Sequence, residues 1–156
     1  MKKATKKTRA LSEWELKFIE ALSRIHKRNV NVKAKKLMKK TYSAMAAMKK
    51  RSDACGVDCT ITLDDIRQLT YEFYGKNCVY TGRQLTLENI VYDHIIPISK
   101  GGPSTKDNIQ IISRFANNMK GSLTEDDFLI LLNWLKKLPD NLSTEVAFRL
   151  AGGRRR

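Results

Sequence analysis

The stretch DHIIPISKGG, residues 93–102, carries the strongest structural signal of this 156-residue chain. Branched apolar residues around the Asp-His pair predict extended structure over residues 89–98, with the strand ending at the pair. The following glycines let the chain double back, and residues 109–112 are predicted to form a second strand. A short helix then begins at Ser113 or Arg114 and stops near Gly121. The stretch and its neighbours therefore predict a β–loop–β–α unit.

This unit brings four polar side chains together, namely Asp93, His94, Asn108 and Asn117. A carboxylate and a carboxamide oxygen suit Mg²⁺ or a similar hard ion. A neutral histidine, with an ordinary pKa of ~6.5, can take a proton from water near neutral pH. Lys120, one helical turn after Asn117, is predicted to hold a phosphate. These residue types suit phosphodiester hydrolysis, and the lack of a Walker phosphate loop disfavours nucleoside triphosphate chemistry.

The same residues resemble the HNH endonuclease motif, the ββα-metal nuclease fold. The likeness covers about residues 78–128, a third of the chain, and rests on four elements in order: Cys78-Val79-Tyr80-Thr81-Gly82, residues 93–102, Asn108 and Asn117-Asn118-Met119-Lys120-Gly121. It implies that His94 is the general base, that Asp93 and Asn117 are metal ligands, and that Asn108 fixes the loop holding His94. Asn118 remains an alternative ligand. Because the last histidine of the motif is replaced by Asn117, Mg²⁺ or Mn²⁺ is the expected metal.

Charge divides the chain into two parts. Residues 1–52 hold 17 basic and 3 acidic residues, which equals the +14 net charge of the whole protein, and residues 53–156 are neutral overall. A segment this basic repels itself unless a polyanion covers it. Double-stranded DNA is the expected partner, and an anionic membrane surface is the weaker alternative. The expected DNA contacts lie on the second helix: Lys33, Lys35, Lys36, Lys39, Lys40, Lys49 and Lys50.

Helical spacing and N-terminal caps predict the remaining elements. The predicted helices cover about residues 13–28, 31–51, 63–74, 125–137 and 143–150. The fold class is α+β and mostly helical, with a ββα-metal (HNH) motif flanked by helices and a basic N-terminal helical arm. The predicted division is an arm over residues 1–52, a nuclease domain over 53–150 that folds without it, and a basic tail over 151–156. Trp134 is expected in the core.

Three cysteines, Cys55, Cys59 and Cys78, have no obvious fourth partner for a zinc ion. We therefore expect free cysteines and no structural zinc. The sequence also shows no secretory signal and no apolar run long enough to span a membrane. These features favour a cytoplasmic protein, in the host cell if the chain is phage-encoded.

The sequence thus supports one main hypothesis, a metal-dependent endonuclease that hydrolyses DNA and nicks one strand per active site. It would act as a monomer or homodimer. By analogy alone, the size and the basic arm suit a phage-encoded or homing-type enzyme. Two alternatives stay open: a non-specific or RNA-tolerant nuclease of the same fold, and a basic DNA-binding protein with an inactive scaffold.

Overall fold

The computed structural model describes residues 10–153. These residues form six α-helices and a two-stranded sheet: α1 (Glu13–Ser23), α2 (Val30–Cys55), α3 (Leu63–Phe73), β1 (Ile90–His94), β2 (Ile109–Ser113), α4 (Arg114–Lys120), α5 (Glu125–Leu135) and α6 (Asp140–Leu150). The α+β, mostly helical class is confirmed. Residues 1–9 and 154–156, which belong to the predicted basic arm and tail, lie outside the described residues. No helix in residues 10–153 is long and apolar enough to cross a membrane.

Helix starts follow local side-chain caps. Ser12 and Thr62 form the capping boxes that begin α1 and α3, and the hydroxyls of Ser113 and Thr124 cap α4 and α5. The predicted end of the first helix near residue 28 is wrong, because α1 stops at Ser23. The chain needs the next six residues to reverse direction, and the turn closes with Asn29 at a φ of 59° before α2 begins.

The first three helices and the hairpin share one hydrophobic core. Phe18 and Leu22 of α1 meet Leu37 and Met48 of α2 there, and all four are fully buried together with Ile66, Leu85, Ile90 and Ile112. The predicted boundary between residues 52 and 53 lies inside α2. The core therefore continues from the basic segment into the part that carries the hairpin.

A second, smaller cluster joins the last three helices. Met119 of α4, Phe128 and Leu135 of α5 are buried, and side chains of α6 pack against them. The prediction that Trp134 belongs to the core is wrong, because its side chain is 50% exposed. Trp134 directly precedes the buried Leu135 and therefore points to a different side of α5. The contact of α5 with α4 and α6 covers Leu135 but not Trp134.

The hairpin sets the position of the candidate site. β1 and β2 pair antiparallel, with Asp93 opposite Gln110 and His94 opposite Ile109. Buried and half-buried residues alternate along β1, so Asp93 and His94 point to opposite faces. The connection over residues 95–108 contains two single-turn 3₁₀ helices. It returns the chain so that Asn108 lies directly beside the end of β1.

Candidate active site

Asn108 holds the loop that follows His94. Its Oδ1 accepts a hydrogen bond of 2.9 Å from the backbone N–H of Ile96, and its Nδ2 donates to the carbonyls of Ile96 at 3.1 Å and Pro103 at 2.8 Å. The loop approaches closely here, since a Cβ on Gly102 would lie 1.9 Å from the Ile96 carbonyl oxygen. All polar atoms of the carboxamide are therefore used in fixing the backbone next to His94.

His94 is buried, and one ring nitrogen is held by a chain of hydroxyls. Nε2 lies 2.8 Å from Oγ of Ser104, which in turn lies 2.7 Å from Oγ of Ser52 in α2. Both serines are fully buried, whereas 6% of His94 is exposed. Nδ1 has no hydrogen-bonding partner among residues 10–153. This arrangement leaves Nδ1 as the ring nitrogen without a protein partner in the described chain.

The surroundings of His94 favour the neutral imidazole. Burial is the main cause that lowers its pKa below the ordinary value of 6.5, and the positive charge of Arg51 lowers the pKa further. The negative charge of Asp93 opposes this shift, and the ammonium of Lys120 adds to it. The ring is therefore uncharged at pH 7 and can accept a proton.

Asp93 uses one of its two oxygens within the protein. Oδ2 lies 2.9 Å from Nζ of Lys120 and accepts a hydrogen bond of 3.3 Å from Nε2 of Gln110. Oδ1 accepts no hydrogen bond from the described residues. The carboxylate is oriented by two donors on one side and is free for another ligand on the other side.

The predicted phosphate contact of Lys120 is corrected by the structure. Its side chain is fully buried, and besides the ion pair with Asp93 its Nζ donates to the backbone carbonyl of His94 at 2.8 Å. An ammonium enclosed in this way cannot reach an external phosphate. Lys120 does lie one helical turn after Asn117 on α4, as predicted. Its side chain points inward because the end of β1 passes over this face of the helix.

The two asparagines of α4 face different neighbours. Asn117 is half-buried and lies three residues before Lys120, hence on the helix face that meets the end of β1. Its side chain makes no hydrogen bond within residues 10–153. Asn118 is exposed, and its Nδ2 donates to the carbonyl of Ala151 after α6 at 3.2 Å. Of the two carboxamides, that of Asn117 is the one without a hydrogen-bonding partner among residues 10–153.

Sequence reasoning missed the residues that orient Asp93. Gln110 donates to Asp93, and its Oε1 lies 3.0 Å from the hydroxyl of Tyr80, which also donates to Oε1 of Glu125 at 2.6 Å. Burial, followed by the bond to Glu125, raises the pKa of Tyr80, so the phenol stays protonated. The strand register was the available signal for Gln110, since it is the residue opposite Asp93.

The donor set fits an oxygen-preferring cation better than zinc. A free carboxylate oxygen on Asp93 and an unbonded carboxamide on Asn117 are hard ligands that leave room for water and phosphate. No group of three His, Cys, Asp or Glu residues in the described chain could hold a metal ion. Cys55 is exposed, and Sγ of the buried Cys78 accepts a hydrogen bond from the backbone N–H of Ser113.

Most of the lysines of α2 that were predicted to contact DNA are exposed to solvent. Lys33 is half-buried, with Nζ 2.6 Å from Nδ1 of His26, and Lys40 donates to the carbonyl of Leu87 at 2.9 Å. The others are exposed: Lys35, Lys36, Lys39, Lys49 and Lys50. Within residues 10–153, no ion pair involves a basic residue of α2. The exposed side of this helix is a surface of uncompensated positive charge.

Comparison with known proteins agrees with this geometry. The sequence model of the HNH endonuclease family matches residues 76–123, which contain the hairpin, its loop and α4. No curated protein and no solved structure gives a significant match to the chain. Residues 76–123, which include Asp93, His94, Asn108 and Asn117, therefore match the HNH endonuclease family both in sequence and in the order of hairpin and helix.

Proposed function

We propose that the chain is a metal-dependent DNA endonuclease whose single active site lies between the end of β1 and α4. One observation carries the proposal above the others. His94 is neutral and held through Nε2, and its strand neighbour Asp93 has a carboxylate with one oxygen that accepts no hydrogen bond from residues 10–153. A general base next to a site for a hard cation is what phosphodiester hydrolysis requires.

In this mechanism His94 removes a proton from the attacking water. The tautomer with hydrogen on Nε2 donates to Ser104 and keeps the lone pair of Nδ1 for the water. The water oxygen forms a bond to phosphorus, its proton moves to Nδ1, and the bond from phosphorus to the leaving oxygen breaks. A second water returns a proton to that oxygen, and the imidazolium then loses its proton to solvent.

Asp93 and Asn117 are the proposed metal ligands. When bound, Mg²⁺ or Mn²⁺ would stabilise the negative charge that develops on the leaving oxygen. The protein prepares the carboxylate for this role by fixing Oδ2 with Lys120 and Gln110. Asn117 is preferred over Asn118, because the latter is already bonded to the backbone after α6.

The exposed lysines of α2 are the proposed grip on duplex DNA. They carry no compensating acidic partners, so phosphates would replace condensed counterions rather than protein carboxylates. One active site cuts one strand, so a monomer would nick and a double-strand break would need a dimer or two successive attacks. A phage-encoded or homing-type role remains a proposal by analogy.

A plasmid nicking assay tests the proposal, and the chain offers a matched control because it contains two histidines. Mg²⁺ should convert supercoiled plasmid to open circles, and EDTA should stop the reaction. His94→Ala should abolish nicking but still bind DNA in EDTA, whereas His26→Ala should cleave like the wild type. Nicking by His94→Ala at the wild-type rate would refute the assignment of the base. DNA binding without nicking by the wild type, with Mg²⁺ or Mn²⁺, would favour the inactive scaffold.

A further inference from the structure

A groove of about 290 Å³ lies between α2 and β1, next to the candidate active site. Side chains of α2 form one wall, and the first residues of β1 form the other. Three cations stand along it, Lys40, Arg51 and Arg114, and the remaining lining residues are small or apolar: Ser43, Ala44, Met48, Ile90, Val91 and Tyr92. The groove therefore combines positive charge at its rim with an apolar floor.

The cations occupy both ends of the groove. Lys40 and Arg51 are eleven residues apart on α2, which corresponds to about 16 Å along the helix axis. Arg114 lies at the same end of the groove as Lys40. Burial is the main cause that lowers the pKa of Lys40, the positive charge of Arg114 lowers it further, and the carboxylate of Glu88 opposes the shift. Arg51 and Arg114 are exposed and take part in no ion pair within residues 10–153.

The groove leads into the active site. Its β1 wall runs from Ile90 to Tyr92, and the next two residues along the same strand are Asp93 and His94. At this end stands Arg51, whose charge acts on the imidazole of His94. A chain of phosphates lying along the groove would thus arrive at the general base.

We propose that this groove binds the sugar–phosphate backbone of the DNA strand that is cut, with phosphates held by Lys40 and Arg114 at one end and by Arg51 at the other. The inference rests on the proposed function and adds to it the path of the substrate. A length of about 16 Å corresponds to roughly five base-pair steps along the axis of duplex DNA at 3.4 Å each, which is a short run of phosphates on the cut strand. The apolar floor, with Met48 at its centre, suits deoxyribose rather than another charged group.

The shape of the site favours a nucleic acid strand over a membrane. A lipid surface is flat and would meet the exposed outer lysines of α2 first, whereas the three groove cations surround a cleft between two elements. A single phosphodiester strand can enter such a cleft, and its regular charge spacing matches cations at both ends.

Binding measured without cleavage provides the test. The affinity for a short fluorescein-labelled DNA duplex would be followed by anisotropy in EDTA over a range of salt, for wild type, Arg51→Gln and Arg114→Gln. Arg149→Gln is the matched control, since Arg149 is an exposed arginine of α6 paired with Glu145. Each groove variant should lower the slope of log K against log salt by ~0.9, which means about 3.5-fold less loss of affinity than wild type between 50 and 200 mM. The control should keep the wild-type slope.

A second readout separates this inference from the proposed function. With Mg²⁺ present, kcat/KM for nicking by Arg51→Gln and Arg114→Gln should fall together with affinity. If the wild type never cleaves but the groove variants show a smaller salt slope than the wild type, the nuclease proposal is refuted and the groove proposal stands. Groove variants with the wild-type slope would overturn the groove even if the enzyme cleaves. The same holds if the substitutions weaken binding to phosphatidylserine vesicles but not to DNA.

Discussion

Replacing Ser104 by Ala would remove the atom that holds the imidazole of His94 while leaving the backbone in place. The backbone N–H of Ser104 donates to the carbonyl of Asp58 at 2.7 Å, and its carbonyl accepts from the N–H groups of Thr60 and Ile61. Alanine keeps all three bonds. The substitution therefore removes only Oγ, which lies 2.8 Å from Nε2 of His94 and 2.7 Å from Oγ of Ser52.

The expected cost follows from the two groups that lose a partner. Nε2 of His94 and Oγ of Ser52 are both buried, and a buried polar group without a hydrogen bond costs about 1–3 kcal/mol. Ser104→Ala should thus lower the free energy of unfolding by about 2–6 kcal/mol. Losing the bond that selects the tautomer and orientation of His94 should also reduce kcat by roughly tenfold to a hundredfold. Ser52→Ala keeps the bond to His94 and should cost less than half as much in both respects.

The assay must distinguish a misplaced base from a poorly folded enzyme. Nicking would be measured under single-turnover conditions well below the melting temperature of each variant, so that the protein is fully folded. DNA affinity in EDTA should stay at the wild-type value, because neither serine reaches the surface. A folded Ser104→Ala variant whose rate lies within about twofold of wild type would refute the positioning role of this hydroxyl.

Three further outcomes follow from the site. Lys120→Met should destabilise the fold by about 3 kcal/mol in denaturant unfolding, because it leaves the half-buried Asp93 carboxylate without its cation; Lys100→Met, which removes an exposed pair, should change stability far less. Asn117→Ala should raise the Mg²⁺ concentration needed for half-maximal nicking, whereas Asn118→Ala should not; equal shifts would contradict the assignment. The lowered pKa of His94 should hold kcat constant from pH 8 to below 6.5 before it falls. Stability should begin to decline at higher pH than kcat, near the unfolded-state pKa of about 6.5, because the unfolded imidazole takes up a proton before the buried ring does. A loss of activity centred above pH 6.5 would contradict this sign.

Local signals in the sequence were sufficient for the capped helix starts and the hairpin, whereas α6, which has no side-chain cap, begins at Asp140 and not at the predicted residue 143. The hydroxyl caps at Ser12, Thr62 and Thr124 act within three residues, so they can be identified without tertiary information. Both strands around the loop were also identified, because branched apolar residues and glycines mark them, but the extended structure predicted over residues 89–98 was too long, since β1 ends at His94. The end of α1 could not be identified locally, since residues 24–29 have helical composition and the turn is imposed by the packing of α2 on α1.

The inward direction of Lys120 depended on tertiary structure. A lysine in the last turn of a helix is exposed in most proteins, and only the contact with the Asp93 carboxylate shows that this one is enclosed. The role of Ser104 was equally hidden. It stands in a loop that sequence reasoning treated as a simple connection, and its neighbours Ser52 and His94 lie 52 and 10 residues away along the chain.

The basic composition of residues 1–52 suggested a separate arm, but packing joins this segment to the rest of the protein. The charge excess marked residues 1–52 as an arm, yet α2 fills the core with Leu37 and Met48 and ends beside the active site. Two successive residues show the coupling, because neighbours on a helix point about 100° apart. Arg51 lines the basic groove, whereas Ser52 turns inward to the hydroxyl that holds His94. The helix that carries the proposed DNA-binding charge therefore also holds the proposed general base, through Ser52 and Ser104, and a displacement of α2 against the hairpin should change both.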